Sequence, residues 1–239
     1  SHVLTPIASG VTTYSNEKAT LDASNVSEGY IMVKYTGSVG KIKVQITKSG
    51  SETYTYDLSS SGVYEVFPLS EGSGSYSVKV FENIQGNQYS QAFSQNVNAT
   101  ITNQFGPFLY PNQYVNFNAA SAAVQTGASV AASATDQLEV VSNVYNYVIN
   151  NVTYDTAKAS SVQSGYLPNV DVVLAQKKGI CFDYAALMTA MLRSQDIPTK
   201  LVVGYTGNLY HAWINVYLDG QGWVDNIIYF DGQDWKLMD

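Results

Sequence analysis

A chain of 239 residues with 45% hydrophobic and only 13% charged residues has room for two ordinary domains or one large one, and it is a folded chain with a sizeable core, not a disordered polyelectrolyte. Its 19 acids and 12 bases give a net charge of −7; with no basic cluster beyond Lys177-Lys178, a nucleic-acid or anionic-membrane partner is not expected. One cysteine makes no internal disulfide, no run reaches the roughly 18 apolar residues of a membrane helix, and no charged-then-apolar signal segment opens the chain.

Residues 1–16 lack periodicity and read as a loose arm. From about Lys18 to Ile101 the pattern is that of strands. Tyr30–Tyr35, Lys41–Thr47, Thr53–Leu58, Val63–Phe67, Tyr76–Phe81 and Tyr89–Ser94 alternate or concentrate β-branched and aromatic residues, and Gly, Ser and Asn clusters punctuate them. Six or seven short strands about 10–13 residues apart, with no helical stretch, predict a β-sandwich of Ig-like architecture over residues 1–103. The Cys…Trp…Cys marker is missing, so the likeness is one of architecture alone. The tyrosines and phenylalanines of this half read as core and cross-strand pairs rather than as a carbohydrate platform.

The composition changes after that. Phe105–Tyr114 carries prolines at 107 and 111 and reads as an irregular connector. Ala119–Ala134 has the makings of a helix. A second helix is capped by Thr135 or Asp136 and shows an apolar stripe at Leu138, Val141, Tyr145, Val148 and Val152. Residues 156–170 read as loop, and Val170–Gln176 as a turn or two of helix. A third clear helix runs from about Cys181 to Ser194 and stops near Asp196, before Ile197-Pro198. Strands at 200–205, 211–218, 223–230 and 235–239 complete the chain. Helices followed by an antiparallel sheet predict an α+β domain over 104–239, with 104–134 a connector and 135–239 its core.

Cys181 opens a helix, where the positive end of the dipole lowers a thiol's pKa; a buried, inert cysteine is the plainer alternative. His211 opens an alternating strand, on the face shared by Trp213, Asn215 and Tyr217. The other histidine, His2, belongs to the arm. One Cys and one interior His make no zinc set without a pair of carboxylates, and no cofactor is implied. A carboxylate ending a neighbouring strand would complete a Cys-His-Asp site. Asp239 is one candidate and Asp225 its competitor, nearer the far turn of the hairpin. Asp219, Asp231 and Asp234 flank glycines as turn acids, and Asp183 is a first-turn acid favoured by the dipole.

Gly-x-Cys-x-Asp-Tyr, a following helix with Leu-Arg, Ile-Pro, Val-x-Gly-Tyr, His-Ala-Trp-x-x-Val-Tyr and Trp-x-x-x-Asp together resemble the transglutaminase-like superfamily over roughly residues 135–239. The resemblance implies a papain-like Cys-His-Asp core, with Cys181 as nucleophile, His211 as general base and acid, and Asp239 as the carboxylate that orients the imidazole. The four-residue step from Trp235 favours Asp239 over Asp225, and makes 219–234 an inserted hairpin. Asp196 stands where the family often has Gly, the family pattern usually continues past the aspartate, and no calcium loop is evident. The implied function is a cysteine enzyme acting on peptide or protein amides through a thioester, as protease, amidase or cross-linking acyltransferase. The alternatives are a surface binding module with a vestigial triad and a purely structural protein. The Cys181 amide would be one oxyanion donor, with Tyr166 or Gln176 as candidates for a second. Abundant Tyr, Ser, Thr, Asn and Gly with few charges resembles secreted or cell-surface bacterial proteins; the oligomeric state is left open.

Overall fold

A computed structural model describes residues 3–206 and 209–238, with 205, 206 and 209 described by backbone alone. The chain forms two compact units, one from Pro6 to Pro107 and one from Phe108 onward that also takes in the N-terminal residues up to Thr5.

The first unit is all β. Its strands are β1 (Thr13–Ser15), β2 (Ala19–Asp22), β3 (Tyr30–Tyr35), β4 (Ile42–Lys48), β5 (Thr53–Leu58), β6 (Glu65–Pro68), β7 (Gly74–Gln85) and β8 (Gln88–Ala99). They pair antiparallel as two four-stranded sheets, in the orders β1-β2-β3-β6 and β5-β4-β7-β8. Period-two alternation builds the core: Ile42, Val44 and Ile46 on β4 and Tyr76, Val78 and Val80 on β7 are buried while their neighbours are not. Tyr56 of one sheet meets Phe67 of the other with ring centroids 5.1 Å apart, so the sheets close face to face as a sandwich. The buried Tyr35 hydroxyl donates to Glu82, which also accepts from Lys18 at 3.0 Å, tying the sheets at a second point. Part of the stretch read as a loose arm is β1, a three-residue edge strand with one half-buried side chain.

The second unit is α+β. It contains α1 (Ala122–Ala131), α2 (Gln137–Asn151), β9 (Thr153–Tyr154), α3 (Thr156–Ser161), α4 (Val170–Gln176), β10 (Lys178–Gly179), α5 (Cys181–Ser194), β11 (Thr199–Thr206), β12 (Leu209–Leu218), β13 (Gly222–Phe230) and β14 (Trp235–Leu237). The Asp136 side chain caps α2 by accepting from the Glu139 amide at 2.8 Å. The stripe of α2 is Val141, Val144 and Val148; Leu138, expected on it, is exposed. All fourteen residues of α5 are buried, so this helix is the axis of the unit, enclosed by α1, α2, α4 and the antiparallel sheet β11-β12-β13-β14. The helix ends as the sequence requires, with Asp196 at φ 63° ahead of Ile197-Pro198. Arg193, nearly fully buried, donates to the Thr199 carbonyl at 2.7 and 3.2 Å and to the Tyr110 carbonyl at 2.8 Å, pinning the connector and β11 to the end of α5.

Candidate active site

Two short parallel strands deliver the chain to Cys181. Lys178 and Gly179 of β10 pair with Thr153 and Tyr154 of β9, and Ile180, extended at φ −89° and ψ 177°, is the N-cap of α5. Asp183, the third helical residue, returns its carboxylate to the Ile180 amide at 2.9 Å, half of a capping box. This carboxylate is fully buried, and it also accepts from Lys158 Nζ at 2.8 Å and from the Tyr166 hydroxyl. Gly179 makes room for it, because a Cβ there would stand 2.6 Å from Asp183 Cβ. Burial opposes the Lys158 ammonium, yet its bonds to Asp183 and Tyr166 prevail and raise its pKa; burial and the Asp183 bond raise that of the Tyr166 phenol. The network is an ammonium and a neutral phenol both donating to one carboxylate. In the sequence, Asp183 was legible as a first-turn acid, but nothing marked Lys158 and Tyr166, inside a stretch without periodicity, as its partners.

Cys181 is completely buried. Burial pushes its thiol up to about 12, although the amides of Phe182 and of Cys181 itself act in the opposite direction and the Asp183 charge adds to the rise. The helix-start effect expected from the sequence is therefore present in the amides and outweighed by desolvation. Of the second-donor candidates, the Tyr166 hydroxyl is committed to Asp183, and Gln176 is exposed at the last turn of α4.

His211 lies on β12, opposite Gly204 of β11. Ala212, Ile214, Val216 and Leu218 turn toward α5 and the core, so His211 shares the other face with Trp213, on which its ring stacks at 5.5 Å and 13°. The helix of Cys181 thus packs against the strand of His211, but among the described residues no hydrogen bond joins the thiol to the imidazole. Asp225 is exposed in an irregularity of β13, where Asn226, at φ 56°, donates its amide to Asn215 Oδ1 at 2.7 Å. That is four residues along β12 from His211, about 13 Å at the rise of an extended strand. Asp239 lies outside the described residues. Asp231 is the carboxylate the register brings level with His211, since Ala212 pairs with Phe230. It is also a turn acid: Oδ1 accepts the amides of Asp234 at 2.8 Å and Gln233 at 2.9 Å, which hold its pKa down, with smaller contributions from Lys236 and His211.

An aromatic cluster joins the first turn of α5 to the end of the sheet. Tyr184 stacks on Trp235 at 5.4 Å, Trp235 meets Phe230 at 5.2 Å, and Tyr154 stacks on Phe230 at 5.5 Å and 9°. Tyr184 also donates to the Val152 carbonyl at 2.9 Å. No group of three or more His, Cys, Asp or Glu side chains among the described residues is arranged to hold a metal ion.

Residues 124–226, which take in the buried helix opening on cysteine and much of the antiparallel sheet that carries histidine, match the model of the Transglutaminase-like superfamily. Residues 124–226 are thus similar to a transglutaminase-like domain, and in the sequence they follow a β-sandwich. Over 101 residues it is 30% identical to an uncharacterized protein, YebA, of Bacillus subtilis, and over 101 residues 32% identical to a UPF0252 protein of Methanocaldococcus jannaschii. Those matches take in 35% and 37% of this chain but only 13% and 29% of the relatives' own lengths. A crystal structure bearing the name "Putative Cysteine Protease from Cytophaga hutchinsonii" aligns with 90% of this chain and 78% of its own, at 14% identity and a TM-score of 0.44.

Proposed function

We propose that the second unit is a cysteine-dependent acyl-transfer site acting on peptide or protein amides. The observation that carries this reading is Cys181 at the N-terminus of the central helix, its sulfur within reach of the Phe182 and Cys181 amides, in a domain matched to a transglutaminase-like model. His211 is the acid–base group. Its side chain lies on the face of the sheet turned away from α5, so taking the thiol proton requires the start of β12 to move against the helix start; the imidazolium so formed offsets the burial that disfavours an isolated thiolate. Sulfur then bonds to the amide carbonyl carbon, and the oxyanion meets the amides at the helix start. The C–N bond breaks as the imidazolium returns its proton to the departing amine, leaving a thioester on Cys181. Water attacking the thioester makes the site a protease or amidase; a second amine makes it a cross-linking acyltransferase.

The orienting carboxylate is Asp239 by its spacing from Trp235. Asp231 competes on the ground of its position beside His211, and Asp225 stands further from the imidazole. Side-by-side rates for Asp239→Asn, Asp231→Asn and Asp225→Asn decide among them: the orienting residue is the one whose change lowers kcat by orders of magnitude while leaving the fold intact. No helix among the described residues is long and apolar enough to cross a membrane, and the low-charge, hydroxyl- and amide-rich composition supports work outside a cell. The test of the activity itself is incubation with a peptide library and an amine probe, followed by intact mass. An acyl adduct on Cys181, absent in Cys181→Ala and resolved into acid or amide, is expected. A protein that never carries such an adduct leaves the surface binding module as the better reading.

A further inference from the structure

We propose that residues 156–167 form a strap closed over Cys181 and fastened by one latch, the Lys158 ammonium and the Tyr166 hydroxyl on the Asp183 carboxylate. This rests on the reading of Cys181 as the reacting group and adds that peptide substrate enters when the latch opens. Ten of the twelve residues of the segment are exposed, among them Val162 and Leu167; the exceptions are Lys158 and Tyr166. The helix inside the segment, α3, buries none of its residues. A segment without buried apolar side chains has little to hold it in place, so it stays down through its few polar contacts and opens at small free-energy difference.

Those contacts all converge on the few residues around the nucleophile. Before the strap, the Asp155 amide donates to the Gly179 carbonyl at 2.9 Å. At its far end the Tyr166 ring meets the Phe182 ring at 6.4 Å, and between them Lys158 and Tyr166 both reach Asp183. Lys158 also lies over the Tyr166 ring, 4.4 Å from its centroid, so the two latch groups support each other. Gly179, Phe182 and Asp183 bracket a thiol that is completely buried. A thiol without exposed surface attacks nothing as large as a peptide until something over it moves, and the strap, which buries no apolar side chain, is a neighbouring segment with little to hold it down.

The test is the rate of Cys181 alkylation by iodoacetamide at fixed pH in the full chain, for the native protein, Tyr166→Phe, Lys158→Met and the double variant. Limited digestion by a protease of broad specificity and the unfolding midpoint are followed in parallel. The double variant is expected to react at least about tenfold faster and to be cut within 156–167, an order of magnitude being what loss of two charge-assisted contacts gives. Val148→Ala, which loosens the core of the same unit without touching the strap, is the control. Alkylation in the double variant within twofold of native, or an equal rise in Val148→Ala, overturns the proposal. The same comparison in a His211→Ala background reads access alone, so the strap stands or falls separately from the Cys-His chemistry.

Discussion

Asp183 shows how much one buried carboxylate does in this molecule. It satisfies the N-cap amide of α5, neutralises Lys158 and holds the Tyr166 hydroxyl. Replacing it by Ala leaves the Ile180 amide unpaired and Lys158 beside an apolar gap, and is expected to lower stability by about 2–4 kcal/mol in denaturant unfolding. Gly179→Ala, which drives a Cβ to 2.6 Å from Asp183 Cβ, is expected to cost about 1–3 kcal/mol on the same measurement and to disturb the start of α5 directly. The residue types of the site were legible in the sequence: a lone cysteine before a helix, a lone interior histidine opening a strand. Their environment was not, because burial is a property of what lies over a residue. Desolvation by the packed domain, which pushes the Cys181 thiol up to about 12, has no local signature around position 181.

Secondary elements that bury an apolar stripe announce themselves in the sequence, and elements that bury nothing do not. The longer strands of the sandwich, α2 and the final sheet follow their periodicities and α5 is buried on every side, whereas α3, with no buried residue, falls in a stretch read as loop. On α2 the neighbours shift the expected stripe: Val144 is enclosed and Leu138 is exposed. Removing the Asp136 cap with Ala is expected to cost about 0.5–2 kcal/mol, read from the denaturant midpoint. For α5, buried on all sides, Met188→Ala is expected to cost about 2–5 kcal/mol, several times an exposed helix substitution, since the cavity it leaves has packed atoms on every side. A cost under about 1 kcal/mol would contradict the account of α5 as the enclosed axis.

At the scale of the whole molecule, the two units have separate cores, and the second has its own fastening at Arg193. We expect two unfolding transitions by calorimetry, with Val78→Ala lowering one and Met188→Ala the other; a single transition shifted equally by both would refute independent units. The proposed chemistry stands on Cys181 and His211 working as a pair. The most direct test is the rate of Cys181 alkylation against pH, in the native chain and in His211→Ala, with the single cysteine as the only thiol to report. For an unpaired buried thiol the thiolate fraction, and with it the rate, climbs only as pH approaches about 12. A working Cys181–His211 pair gives instead appreciable reaction well below pH ~8.5, the ordinary value for a free thiol, lost when His211 is removed. Identical profiles in the two proteins, both rising only at high pH, would contradict it.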